Sequence, residues 1–359
     1  MAWSVQSCDS TTGAKIGGKI PTAAFPWERV LNSGGSGRAV FKLGDPSFDE
    51  LDMRDLTDHV RRTLVLEWDG EPVAAGLVWK RTWDRDTQTL TVDHEDLWSI
   101  LKRRFLVPQN TTGVAKAAPI VFSNVSVSTA VKKTLQAVTS DFPMAYWGDF
   151  TGSRKETYEA YLLKPAADAL EDQIRQPDGP DLDLRPIYTE GRLQWQMRSN
   201  QEFGTYTWNL SAAQSGISGL QVIEDATNLS NNVFAVGQGT EADTLIRADT
   251  APSPYPLLQS MEAGKDEDSI AKLDGIVAEG LRIHAKPTEQ WSFSILASGG
   301  NGDIRDQTKV TDLRLNGLLS LHDQGDRWLP PGKTQHRLIR YSGDMREKIR
   351  LEFQPTGGS

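Results

Sequence analysis

Asp93-His94-Glu95-Asp96 places four side chains able to ligate a metal in one run. Neighbouring residues on a helix point in different directions, so the four cannot converge on a single ion. A solvated helix start, where acids suit the dipole, accounts for them. Asp303 and Asp306, after Gly299-Gly300-Asn301-Gly302, lack the ordered acidic spacing and terminal Glu of a calcium loop. The histidines His59, His94, His284, His322 and His336 show no metal-ligand spacing, and no nucleophile elbow occurs. Ser33-Gly34-Gly35-Ser36-Gly37 and the glycines after Ser298 have neither the Lys-Ser/Thr ending nor the strand context that cradles phosphate. No catalytic residue, metal ligand, cofactor-binding residue or cofactor is therefore expected. With 48 acidic residues, composition alone does not dismiss a paired-carboxylate hydrolase.

The 11 tryptophans remain as the side chains with most to offer. Trp68, Trp79, Trp195, Trp208 and Trp291 lie in alternating strand patterns, where burial is the ordinary explanation. Trp147 and Trp328 have loop-like surroundings, beside Asp149 and Pro330, and are the candidates for a subunit or glycan contact.

The elements that position these residues are clearest from Arg61 to Phe105. Leu64, Leu66 and Trp68 alternate with polar or opposite-facing neighbours, as in a strand with one buried face. Asp69-Gly70 supplies the positive φ of a tight hairpin, and Gly76 in the return strand marks a bulge or close backbone contact. Thr89 to Val92 is a third strand. Asp93 then caps an amphipathic helix striped by Leu97, Ile100, Leu101 and Phe105. Gly70 and Gly76 would set the hairpin geometry, and Trp68, Trp79 and Trp98 would pack the core beneath it.

At 359 residues the chain exceeds one ordinary core. A net charge of −9 argues against general nucleic-acid binding, and the first 110 residues, with 14 basic and 16 acidic side chains, show no segregation. A lone cysteine, Cys8, excludes an intrachain disulfide, and the N-terminus lacks signal-peptide features. Helical spacing marks Ser126–Val138, Ser153–Arg175 with Pro165 as a kink or second start, and Asp268–Gly280, where Gly280 is a stop signal. Strands resume around Leu193, Trp195 and Met197, around Trp208, and between Val233 and Ala248. Leu338–Tyr341 and Ile349–Phe353 close the chain as a hairpin.

The order of strand, Asp-Gly turn, strand with Gly, TLTV strand and L-W-x-x-L-x-x-R-R resembles the N-terminal domain of minor tail proteins of long-tailed phages. Those proteins are similar to the tail-tip, or baseplate, hub. DLRPIYTEGRLQWQM (Asp183–Met197) and RLIRYSGDMREKIRLEF (Arg337–Phe353) resemble later parts of the same family. The resemblance implies a β-rich α+β fold with two small β-barrel-like domains, each interrupted by an α/β segment. It places a barrel at 1–113, an insertion at 114–180, a second barrel at 181–251 and 298–359, and an insertion at 252–297. It further implies a structural virion protein at the tail tip, made in the host cytoplasm without a signal peptide. Copies would close into a homotrimeric ring that meets the distal tail or tube protein, the tape-measure protein and tip or fibre proteins. A glycan- or cell-wall-binding tail module and a tail-associated peptidoglycan hydrolase are the alternatives.

Overall fold

The computed structural model describes residues 2–108, 116–176, 179–198, 204–212, 216–264, 269–299 and 308–356. The stretch 300–306 of the calcium-like loop, the 113/114 boundary and Pro177-Asp178 lie outside the described residues. Two compact units form: Met1–Leu220 with Ser292–Ser359, and Gln221–Trp291.

The first unit opens with β1 (Trp3–Asp9), β2 (Lys15–Ile20), β3 (Trp27–Val30), β4 (Ser36–Lys42) and a single turn α1 (Met53–Leu56). Next come β5 (Arg62–Trp68), β6 (Glu71–Asp84), β7 (Thr89–Glu95) and the turn α2 (Trp98–Leu101). The β5–β6 hairpin turns at Asp69 and Gly70, whose φ values are 51° and 87°. Positive φ at both central residues matches the right-handed twist of the flanking strands. β5 departs from its alternating pattern, because every one of its residues is buried. Glu67 is accommodated there by Tyr188 Oη donating at 2.6 Å, Ser4 Oγ donating at 2.9 Å, and ion pairs to Lys19 and Lys15. A buried carboxylate survives when it is paired and hydrogen-bonded in this way.

β8 (Ile120–Val125), α3 (Val127–Val138), β9 (Met144–Ala145), β10 (Thr151–Tyr158) and α4 (Ala166–Ile174) follow. Ser126 caps α3 by accepting from Thr129 N at 3.1 Å. The helix expected over 153–175 is instead a strand, β10, paired antiparallel with β8, followed by α4 entered through Pro165. Proline there loses nothing, since the first turn has no hydrogen bond to give up. The chain continues through β11 (Asp183–Thr189), β12 (Arg192–Arg198), β13 (Thr205–Asn209) and β14 (Ser218–Asp225).

The second unit is small. β15 (Asn232–Val236) pairs antiparallel with β16 (Ile246–Thr250) and parallel with β17 (Gln259–Ala263), and α5 (Ile270–His284) covers one face. Gly280 is no stop: it lies inside α5, where a Cβ would come 2.9 Å from Val233. The chain returns along β18 (Thr288–Leu296) to β19 (Leu318–Asp323), β20 (Gly332–Gly343) and β21 (Lys348–Pro355).

The fold is β-rich α+β. Its main sheet has the order β14-β18-β21-β20-β3-β4-β7-β6-β5-β1-β2, with β13 and β19 attached beside β20. This path is open: β2 and β14 end it, and no pairing between them closes a barrel among the described residues. At its centre β3 pairs antiparallel with β20, with Trp27 opposite Gly343. Trp98, Leu101, Val131, Leu135, Leu170, Leu193 and Trp195 share one core, so α2, α3, α4 and β12 bury against the same apolar body. Gly70→Val forces a β-branched side chain into the left-handed region. It is expected to cost about 1–2 kcal/mol, read as a lower urea midpoint at unchanged slope.

Candidate assembly site

Three charged or hydroxylated side chains meet where distant parts of the sequence join. Arg29 on β3 donates from Nη1 to Tyr341 Oη of β20 at 2.6 Å and pairs through Nη2 with Asp183 of β11. All three are buried. Asp183 holds the Arg29 guanidinium above its ordinary pKa, against the opposing effect of burial. A second fork lies beside it. Asp181 accepts from Asn32 and Asn316, both at 2.8 Å, and pairs with Arg337 at 3.1 Å. Removing one partner of such a pair strands the other charge in a low-dielectric interior. Asp183→Ala is therefore expected to destabilise by about 3–5 kcal/mol, while Arg29→Met with Asp183→Leu costs much less; urea unfolding of the three proteins separates the two outcomes.

The run 93–96 belongs to β7 and the turn after it, not to a helix start. Strand alternation sends its side chains to different places. Asp93 pairs with Arg38 at 2.7 Å. His94 is buried beside Phe25, with ring centroids 4.5 Å apart. Its ring lies between Gly37 of β4 and Gly76 of β6, and a Cβ on either glycine would come 2.3 Å from it. Asp96 accepts from Gly35 N at 2.7 Å and from Trp98 N at 2.9 Å, so it holds the entry to α2, while the expected cap, Asp93, lies within β7. The Gly34-Gly35 loop thus wraps a carboxylate of its own chain.

Burial holds the His94 imidazole down to about 4, so it stays neutral in the folded protein. Between pH 6.5 and 4 the unfolded chain binds a proton that the native chain refuses, and stability falls as pH drops. Asp96, pushed up to about 7 by its burial, acts in the opposite sense throughout that range. The comparison is therefore made against a variant. The stability advantage of wild type over His94→Asn is expected to shrink by roughly 3 kcal/mol from pH 6.5 to 4, measured by denaturant unfolding at each pH.

The tryptophans do not converge on one cleft. Trp68 stacks edge-on against Trp3 at 4.7 Å, and Trp3 and Tyr341 both neighbour Trp27. Trp79 stands where the β6–β7 register shifts. Its Nε1 donates to Ser99 Oγ at 2.9 Å, and the Arg103 guanidinium covers its ring at 3.9 Å. Trp98 is buried in the core, and Trp147 is half-buried against the same core. Trp328 is 72% exposed on a loop fixed by Asp326, which accepts from the backbone of Trp328 and Leu329.

Sequence reasoning missed an exposed apolar knob. Tyr161 and Leu162 fit the spacing of the expected helix, yet they follow β10 as a short turn and are 60% and 64% exposed. Leu163 closes this turn at φ 46°, a conformation bulky residues avoid. Leu106 N donates to Lys164 O at 2.9 Å and Phe105 bridges Pro165, which sets exposed Phe105 beside the knob. Among the described residues, no group of three or more His, Cys, Asp or Glu is placed to hold a metal.

Solved structures match this architecture over almost the whole chain. A tail protein from Neisseria meningitidis MC58 aligns with TM-score 0.62 at 13% identity, covering 99% of this chain and 98% of its own. The chain shares that tail protein's fold. The 43 kDa tail protein of prophage MuSo2 from Shewanella oneidensis gives the same TM-score, 0.62, at 10% identity and the same coverage of 99% and 98%. The prophage tail protein gp18 of Listeria monocytogenes EGD-e shares the tail-protein fold at TM-score 0.52 and 8% identity, covering 99% and 95%. No family model matches the sequence, and no curated protein does.

Proposed function

We propose that the chain is a structural tail protein, a tail-tip hub subunit whose three copies close into a ring. The observation that carries this reading is the tail-protein fold running over 99% of the chain and 98% of two solved tail proteins. The ring caps the tail tube and connects it to the tape-measure protein and to tip or fibre proteins. Residues 1–113 and residues 181–251 with 298–359 are its two ring-building parts, and 114–180 and 252–297 are insertions between them. Two such parts per chain let three copies present six quasi-equivalent surfaces to a six-fold tube, and cyclic symmetry closes the assembly. A net charge of −9 favours a lumen through which DNA passes without sticking.

The exposed Phe105, Tyr161, Leu162 and Leu163 supply the apolar centre that subunit contacts need. The mass of the purified protein in solution is expected to be that of a trimer. A monomer at every concentration that never joins purified tail tubes overturns the reading. Leu162→Asp is expected to move the mass toward monomer with the thermal midpoint of the monomer unchanged. A second reading draws on Trp328, the one tryptophan with most of its ring in solvent among those weighed as contacts. If the chain also holds host cell-wall glycan, Trp328→Ala abolishes polysaccharide binding and leaves assembly intact. Clearing in a zymogram against cell walls would instead favour the hydrolase.

A further inference from the structure

The second unit leaves one face of its sheet bare. Register sorts its side chains cleanly. Val233 and Ala235 of β15 pack under Leu273 and Val277 of α5, with Leu245 at the edge. Arg247 of β16 faces the same way and pairs with Asp274 of α5 at 2.6 Å. Pleating turns the intervening residues outward. Phe234 stands opposite Ala248 and Met261, and Val236 opposite Ile246. Met261 is 69% and Ile246 55% exposed, and Ala248 is exposed beside them. The result is a contiguous apolar patch on the side away from the helix. The polar end of the face is already satisfied: Asn232 donates to Thr250 Oγ1 at 2.6 Å and accepts from Gln259 at 3.1 Å.

Charge says what fits there. Residues 221–291 hold 12 acidic and 5 basic side chains, a net charge of −7, which leaves −2 for the rest of the chain. The only cation on the three strands, Arg247, is on the helix side and neutralised by Asp274. The loop joining β15 to β16, at the apolar end of the face, carries Glu241 and Asp243. A sheet that buries one apolar face under a helix gains from a second layer on the other, and Glu241 and Asp243 at its apolar end select a basic one.

We propose that this face is a docking surface for a partner's amphipathic helix with lysine or arginine flanking its apolar stripe. The surface is argued from the second unit alone and goes beyond the ring reading, whose success or failure leaves it untouched. The probe is a labelled synthetic amphipathic helix of leucine and lysine, with its leucine–glutamate counterpart as control, titrated into the full chain by fluorescence anisotropy. The lysine peptide is expected to bind, more weakly as salt rises, and the glutamate peptide is not. Met261→Lys and Ala248→Lys are expected to weaken binding at least tenfold. Ala278→Lys makes the same charge change on the exposed side of α5 and is expected to leave binding within twofold. Thermal midpoints of the variants confirm that each folds.

Equal losses in Ala248→Lys and Ala278→Lys mean that the acidic unit attracts the peptide without a site, which overturns the proposal. Absence of binding by wild type overturns it too. Self-association that Met261→Lys dissolves would make the occupant a second copy of this chain, which also overturns it. The solution mass of wild type without peptide reports on the ring separately.

Discussion

The Arg29–Asp183–Tyr341 contact is the constraint on which the first unit depends. A guanidinium and a carboxylate out of water tolerate no slippage, because displacement by one residue strands both charges. Their backbones come from β3, β11 and β20, segments separated by roughly 150 residues each in the chain. The Asp181 fork to Asn32, Asn316 and Arg337 repeats the arrangement one step away. Together they register the middle of the chain against both of its ends. Apolar burial supplies the bulk of the stability, but it is indifferent to register in a way that these contacts are not.

Features set by neighbours in sequence were legible from it. Asp69-Gly70 places two successive residues at positive φ, and its hairpin stands where the turn predicts; Glu190-Gly191 has the same geometry between β11 and β12. The closing hairpin of β20 and β21 also stands where it was expected. Features set by remote partners were not legible. Tyr158, Tyr161, Leu162, Leu170 and Ile174 fit a helical period, yet pairing with β8 draws the first part into a strand. Glu67 looks like the polar side of an exposed strand until Lys19, Tyr188 and Ser4 are seen around it. Gly280 looks like a helix end because nothing local shows Val233 pressing on that position. The acidity of residues 221–291 disappears when the chain is divided at 110, and becomes visible only once the unit has boundaries.

The two units divide their polar chemistry differently. The first, near neutral overall, buries a few of its charges, Glu67, Arg29, Asp183 and Arg62 among them. Arg185 is buried there as well, held down to about 10 by burial, with Nη2 donating to Thr311 O at 3.0 Å. Even Cys8, the single thiol, is enclosed, and burial pushes it up to about 11, where it is a poor nucleophile. The second unit wears its charge outside, over a core of only a few aliphatic side chains.

The pairing of β3 with β20 has a consequence for synthesis. During translation the first seven strands emerge long before residues 332–343, so β3 waits with an unpaired edge while most of the polypeptide is made. Such an edge is a template for stray strands, and closure over so great a sequence separation is slow. Crowding of nascent chains on one messenger therefore sets a hazard that temperature and expression rate control, and the pairing of residues 332–343 with β3 is the moment at which it ends.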